Sequence, residues 1–208
     1  MSKAKIALVT GGSRGLGENM AINMAQKGLN ILLTYHSNKE EADKTVREVE
    51  KLGQKAYALQ LDVAENKTFD AFVDEVKNVL KSHFDATTLD YLVNNAGIGI
   101  NSPIAETTEQ DFDTLVNIHF KGAFFLTQKL LPIMADGGGI VNISSGLARF
   151  SFPGYSVYGS MKAAIETLTR YQAKELGSRQ IRSNVVAPGA IETDFGGGTN
   201  KNDEDKRT

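Results

Sequence analysis

The sequence predicts an α/β fold in which a doubly wound parallel sheet carries helices on both faces. Three observations lead to this. Short apolar runs alternate with helical patterns six times along the chain. The connections are short, and no linker-like or repeated segment divides them. A glycine-rich turn, Thr10-Gly-Gly-Ser-Arg-Gly-Leu-Gly17, joins the first run to the first helical pattern. Such alternation makes the strands parallel and the crossovers right-handed. Ligands of these sheets bind outside the carboxyl ends of the strands, beside strand one.

Each element has its own signal. Ile6-Ala-Leu-Val9 is an apolar run suited to a strand buried on both faces. The first helix is expected over residues 18–27 and ends at Gly28. Strand two covers 31–35, and the next helix 39–52, closed by Gly53. Strand three covers 56–61. Phe69, Phe72, Val73, Val76, Val79 and Leu80 recur at helical spacing. Strand four covers 89–94, and one long helix is expected from about 109 to 134. Strand five is expected over 140–143, the helix holding Tyr158 runs to about 176, and strand six covers 181–187.

The 208 residues suit one domain, and 41% hydrophobic with 23% charged residues is ordinary for a globular chain. A net charge of −2 gives no footprint for nucleic acid or an anionic membrane. The absence of cysteine removes disulfides and thiolate chemistry. His36, His83 and His119 lie too far apart for a metal motif and read as surface or packing residues. The N-terminal apolar run is too short for a signal peptide, and no run approaches a membrane span. A cytoplasmic location is expected.

Gly11, Gly15 and Gly17 let the first turn bend tightly and approach a pyrophosphate. The helix behind it offers unpaired N–H groups and a favourable dipole. A purely structural turn would need only one of them. The same stretch, Gly11-Gly-Ser13-Arg-Gly15, also matches the nucleophile elbow of serine hydrolases. Only twelve residues precede Ser13, and no histidine lies near the chain's end, so hydrolase is a minor alternative.

Asp62-Val63 ends strand three, where an acid can bind an adenine amino group or cap the next helix. Asn94-Asn-Ala-Gly97 can close over an adenosine or form an Asx turn. Asn117 stands mid-helix, where its amide needs a partner. Tyr158 and Lys162 are four apart, on one helix face. A free phenol titrates near about 10. A neighbouring ammonium favours the phenolate and moves it towards the range of acid–base catalysis. Ser145, thirteen residues upstream, can reach the same cleft. Alone, a Tyr-x-x-x-Lys pair is usually an exposed contact with little energy in it.

Together these motifs, in order and over nearly the whole chain, resemble the short-chain dehydrogenase/reductase family, and within it the 3-oxoacyl-thioester reductase and sugar or steroid dehydrogenase branch. The resemblance implies a Rossmann fold with strand order 3-2-1-4-5-6. It also implies an NAD(P)(H) oxidoreductase acting on a small-molecule carbonyl or alcohol. In that family's terms Tyr158 exchanges a proton with the substrate oxygen, and Lys162 lowers the tyrosine pKa and holds the nicotinamide ribose. Ser145 orients the oxygen, and Asn117 holds a water that links Lys162 to solvent. Cofactor contacts are implied for Gly11, Ser13, Arg14, Gly15, Leu16 and Gly17. They are implied too for Tyr35, His36, Ser37, Asp62, Val63, Asn94, Ala96 and Gly97. Tyr158, Lys162, Pro188, Gly189, Ile191 and Thr193 complete the set. Tyr155 has Gly159 four residues on, and Ser144 lacks the spacing to Tyr158, so neither is expected to be catalytic.

NAD-specific sites of this fold place an acid at the end of strand two. Here residues 34–38 read Thr-Tyr-His-Ser-Asn, and Arg14 can grip a phosphate bidentately. NADP(H) is therefore expected over NAD(H). Residues 1–195 are expected to form one dinucleotide-binding and catalytic domain, and 196–208 the mobile start of a substrate lid. The family usually continues with a further helix and a seventh strand, so the chain is expected to be a piece of a longer protein. Residues 135–139 lack the basic residues that acyl-carrier-protein reductases often carry there, although Arg179 is present, which argues against a carrier-bound substrate. Surplus apolar residues, among them Phe120, Phe124, Phe125, Leu168 and Tyr171, predict a homodimer or homotetramer through 109–134 and 158–176, helices that pair in the family. A non-catalytic cofactor-binding regulator is the alternative of another class. Relatives of that kind lose the tyrosine or the lysine, and both are present here.

Overall fold

In the computed structural model residues 4–191 are described. Strands β1 (Ile6–Val9), β2 (Asn30–Tyr35), β3 (Ala56–Gln60), β4 (Leu89–Asn94), β5 (Met134–Ile143) and β6 (Arg182–Val186) form one sheet. Every pair is parallel, in the order β3-β2-β1-β4-β5-β6. The order matches the one expected. Helices are α1 (Gly15–Gln26), α2 (Lys39–Lys51), α3 (Phe69–Ser82), α4 (Glu109–Val116), α5 (Ala123–Leu130) and α6 (Ser156–Glu175). No helix among the described residues is long and apolar enough to cross a membrane.

The period-two alternation of β1 sorts the two faces. Ile6 and Leu8 pack with Phe69, Val76 and Leu80 of α3 and with Leu126 and Leu130 of α5. Ala7 points the other way, towards Ala21 and Ala25 of α1 and Ala42 and Val49 of α2. The small residues on that side allow α1 to lie close to the strand it follows. Its N-terminus therefore sits directly over the carboxyl end of β1.

Two expected elements differ. The long helix is interrupted: after α4, residues Asn117–Gly122 form a π-helical segment, and a short 3-10 turn, Leu131–Ile133, follows α5. The wide turn lays Gly122 against the loop after β3, where any side chain at that position would overlap the carbonyl oxygen of Val63. Apolar spacing stays close to helical through such a bulge, so the pattern does not reveal it.

Strand five starts earlier than expected. Met134 pairs with Leu89, the chain loops out, and pairing resumes at Gly139 opposite Tyr91. Gly137 takes a positive φ of 76° in the excursion. Arg179 fastens it, donating from Nε to Asp136 at 2.7 Å and from its two terminal nitrogens to the carbonyls of Leu131 (2.8 Å) and Met134 (2.6 Å).

A buried polar chain fixes α6 against the sheet. Asn94 donates to Thr127 at 3.0 Å and to Asn142 at 2.8 Å. Asn142 donates to Thr169 (2.9 Å) and Gln172 (2.8 Å), and Ser183 donates to Gln172 at 2.9 Å. Paired polar groups in a core fix register, because any slip would leave one of them unpaired. The register held here decides which residues α6 turns to the strand ends.

Candidate active site

The first turn is built around glycine. Gly11 and Gly15 take φ values of 64° and 56°, in the left-handed region that favours glycine. A side chain on Gly17 would overlap the Gly11 carbonyl oxygen and stand 2.6 Å from Asn95 Nδ2. Arg14 is the N-cap of α1 and makes no side-chain cap, so no side chain covers the first N–H groups of that helix. This bare, positively polarised end suits a pyrophosphate.

Thr10 and Asn95 bolt that turn to the end of β4. Thr10 Oγ1 accepts from the amides of Asn95 (2.9 Å) and Ala96 (3.0 Å). Asn95 Nδ2 donates back to the carbonyls of Thr10 (2.9 Å) and Gly11 (3.2 Å).

A cleft of about 1900 Å³ runs along the carboxyl edge from this turn to the start of α6. It exceeds the roughly 300–1000 Å³ of a pocket for one drug-sized molecule. A dinucleotide together with a small substrate fits that size. Gly11, Ser13, Arg14, Gly15, Leu16 and Gly17 line one end, with His36, Ser37, Asp62 and Val63 beside them. Ala96 and Gly97 line the middle, and Ser145, Tyr158, Lys162, Pro188, Gly189 and Ile191 the other end.

Three expected residues do not line it. Tyr35 is buried in the core beside α1 and α2. Asn94 spends its amide inside the sheet. Asn117 opens the π-helical segment and does not face the cleft. Thr193 and the expected lid segment, 196–208, lie outside the described residues. Asn95 lines the cleft although the sequence reading chose its neighbour. An asparagine pair after a strand signals the turn but not which amide faces which way.

The catalytic candidates meet at the start of α6. Tyr158 and Lys162 are 7% and 5% exposed. Ser145 Oγ accepts from the Leu147 amide at 3.2 Å, and its side chain is hydrogen-bonded to Tyr158. Lys162 Nζ lies 5.5 Å from the centre of the Tyr158 ring and donates to the Ile143 carbonyl at 2.8 Å. Ser144 lies behind, its hydroxyl 3.1 Å from both the Lys162 carbonyl and Glu166 Oε1, and so anchors α6.

One electrostatic expectation changes here. Burial raises the Tyr158 phenol above its ordinary pKa; the Ser145 hydrogen bond opposes this and Tyr155 adds to it. The ammonium does not offset burial, since it stands over the ring face and is engaged by the Ile143 carbonyl. Burial also lowers Lys162 to about 8. The phenol is thus protonated at neutral pH.

His119, read from the sequence as a surface or packing residue, belongs to this corner. Its ring meets Tyr158 edge-on at 5.1 Å. Its Nε2 is 2.7 Å from the Ile98 carbonyl oxygen, and its buried Nδ1 has no partner among the described residues. Burial first, then the Lys162 charge, lowers its pKa to about 3. Among the described residues no cluster of His, Asp and Glu could hold a metal ion.

Comparison with known proteins agrees with this geometry. A family model described as short chain dehydrogenase matches residues 5–204. The chain is 39% identical over 200 residues to a 3-oxoacyl-[acyl-carrier-protein] reductase, FabG, of Staphylococcus aureus, covering 94% of this chain and 78% of that protein. In structure it is similar to the angucycline C-6 ketoreductase LanV with bound NADP, with TM-score 0.88 and 35% identity, covering 91% of this chain and 74% of that one. It is also similar to a short chain dehydrogenase from Burkholderia cenocepacia in complex with NADP, with TM-score 0.85 and 36% identity, covering 92% and 76%.

Proposed function

Because the chain belongs to the short-chain dehydrogenase/reductase family, oxidoreductases of C=O and CH–OH groups that use NAD(P), we propose that it is an NADP(H)-dependent ketoreductase with Tyr158 as its general acid. The observation that carries this is the buried, hydrogen-bonded Ser145–Tyr158 pair beside the Lys162 ammonium, on a cleft that begins at the glycine turn. The nicotinamide cofactor, when bound, supplies the hydride. The turn at Gly11–Gly17 and the bare end of α1 hold its pyrophosphate. Ser145 fixes the substrate oxygen, Tyr158 gives it a proton, and the Lys162 charge stabilises the phenolate that remains. A phenol held protonated by burial favours reduction at neutral pH.

The substrate is a small free ketone. The S. aureus relative is named for a carrier-bound substrate. In this chain the Arg179 guanidinium is occupied by Asp136 and two backbone carbonyls. Following NADPH absorbance with ethyl acetoacetate and a panel of cyclic and aromatic ketones tests the reading. Turnover of none of them, or turnover only of a carrier-bound ketone, would reject it.

The preference for NADP(H) rests on Arg14. It lines the cleft with Ser37 and Asn38, and no acid ends β2. Glu41 also reaches this end, but its carboxylate is paired with Lys44 at 2.7 Å. A charge-assisted hydrogen bond contributes roughly 1.5–3 kcal/mol, or about tenfold to a hundredfold in affinity. Arg14→Ala should weaken NADPH by about that factor and leave NADH nearly unchanged. Fluorescence titration of both cofactors checks this. Equal losses would mean that Arg14 serves the pyrophosphate or the fold.

A homodimer through α5 and α6 completes the reading. Phe124, Phe125 and Tyr171 are 40%, 37% and 62% exposed, and the rings of Phe124 and Phe125 stack edge to face at 5.2 Å. Exposed aromatics on α5 and α6 suit an isologous contact. Light scattering should give a dimer or tetramer for the native chain and a monomer for Phe124→Glu. A monomeric native chain at micromolar concentration would refute it.

A further inference from the structure

We infer that Phe150 and Phe152 form an aromatic wall for the substrate, so that the ketone taken by this site is uncharged and carries an aromatic ring beyond its carbonyl. This rests on the ketoreductase reading above and names the substrate class of the same site.

The loop between β5 and α6 reads Gly146-Leu-Ala-Arg-Phe-Ser-Phe-Pro-Gly-Tyr155. Among the described residues Phe150 and Phe152 are the most exposed phenylalanines, at 69% and 62%. A phenylalanine turned to water contributes little to the fold. Both residues line the large cleft, and Ile98, Leu147 and Ile191 line it with them. The Phe150 ring folds back towards Ser145. A Cβ added to Gly146, the next residue, would stand 3.9 Å from Phe150 Cδ2. The two phenylalanines therefore extend an apolar surface that starts at the catalytic serine. Exposed apolar surface continuous with a cleft is the mark of a ligand face.

The loop is fastened, so the rings are presented rather than left loose. Within it, the Phe150 amide donates to the Gly146 carbonyl at 2.9 Å and the Tyr155 amide to the Phe152 carbonyl at 3.3 Å. The loop after β4 holds it from outside. The Ser102 amide donates to the Gly154 carbonyl at 2.8 Å, and Asn101 Nδ2 to the Pro153 carbonyl at 3.3 Å. Gly154 takes a φ of 85°, and a side chain there would overlap the Asn101 amide. An aromatic surface fixed in advance loses little entropy when a ring settles on it.

Charge decides the rest. The charged residues lining the cleft are Arg14, His36, Glu41, Asp62 and Lys162. The first four lie at the end of the glycine turn, and Lys162 is engaged by the Ile143 carbonyl. Arg149 is the one charged residue of the loop, and it does not line the cleft. Its Nη2 lies 3.7 Å from Glu166 Oε2 on α6. Among the described residues no cation thus stands beside the two phenylalanines. A carboxylate or phosphate on the substrate would lose its water there without gaining a partner. An aromatic ring would instead gain ring-to-ring contact beyond the area it buries, worth about twofold to tenfold in affinity.

Matched ketones test this on the full chain with NADPH. Benzylacetone and its cyclohexyl counterpart have the same carbonyl, insulated from the ring by two methylenes, and differ only in aromaticity. The native protein should prefer benzylacetone by about twofold to tenfold in kcat/KM. A para-carboxylate on the same ring should lower kcat/KM by about tenfold or more. Phe150→Leu with Phe152→Leu keeps the surface apolar and removes the rings. This variant should lose the preference for benzylacetone and keep its kcat/KM for ethyl acetoacetate within about threefold.

Equal rates for benzylacetone and the cyclohexyl ketone in the native protein would overturn the inference, as would a preference that survives the double substitution. So would an equal loss for all ketones in the double variant, because the rings would then serve the fold, a second copy of the chain or another segment of it. Saturation-transfer NMR of benzylacetone with NADP present reads binding without turnover. Ring protons should receive more saturation than the methyl group in the native protein but not in the double variant, and equal saturation in the native protein would also overturn the inference. Turnover of no ketone at all, ethyl acetoacetate included, would instead reject the ketoreductase reading and the inference with it.

Discussion

Tyr158→Phe should lower kcat by about a hundredfold to ten-thousandfold and leave NADPH affinity within about twofold. The substitution removes one oxygen and nothing else. The ring keeps its edge contacts with His119 at 5.1 Å and Tyr155 at 6.3 Å, so the fold of the corner is retained. What is lost is the proton for the substrate oxygen and the partner of Ser145. Tyr155→Phe is the control. Its phenol lies in the same cleft but has Gly159 where Tyr158 has Lys162, and its effect should stay within about threefold.

The pH dependence follows from the direction of the shift. A raised phenol is protonated at neutral pH, so the reduction rate should be highest there and fall as pH rises through the phenol's pKa. Oxidation of the matching alcohol needs the phenolate and should rise over the same range. Rates in both directions, with cofactor saturating, check the sign. Equal losses from the two tyrosine variants, or reduction that speeds up with pH, would remove Tyr158 from the acid's role.

The strands were readable because each is a short apolar run bounded by glycine or polar residues, and the sheet buries both faces of the central ones. The Ser145, Tyr158 and Lys162 corner was readable because its spacing is local: one helix and the end of the strand before it. Long-range geometry was not. The π-helical segment at Asn117–Gly122 lays Gly122 against Val63, and these residues lie far apart in sequence. The excursion in β5 depends on Arg179, and that contact spans forty-three residues. The choice between Asn94 and Asn95 is made by Thr10 on one side and Asn142 on the other. The direction of the Tyr158 shift depends on burial and on where the Lys162 proton donors point. No spacing rule supplies either.

Lys162→Met should abolish most turnover and yet make the cofactor-free protein more stable at neutral pH. Burial lowers the lysine from 10.5 to about 8, which corresponds to about 3 kcal/mol spent on keeping the ammonium charged inside the fold. Methionine has a similar length and no charge, so it removes that cost. Against this, the Ile143 carbonyl loses a donor at 2.8 Å, a loss of about 1–3 kcal/mol. The balance is a gain of about 0–2 kcal/mol, and each 1 kcal/mol raises Tm by about 2–4 °C for a chain of this size. The sign with pH follows from proton binding. Between about pH 8 and 10.5 the unfolded chain holds a proton on this lysine that the folded chain has released, so the native protein gains stability as pH rises through that window. The advantage of the methionine variant should therefore be full below about pH 8 and vanish or reverse towards pH 10.5. Thermal melts of both proteins at neutral and alkaline pH, without cofactor, read this directly. A variant less stable than the native chain at neutral pH, or a difference that ignores pH, would show that the ammonium is not held in the fold at a cost. A gain in stability with loss of turnover would mark Lys162 as a residue retained for chemistry at the expense of the fold.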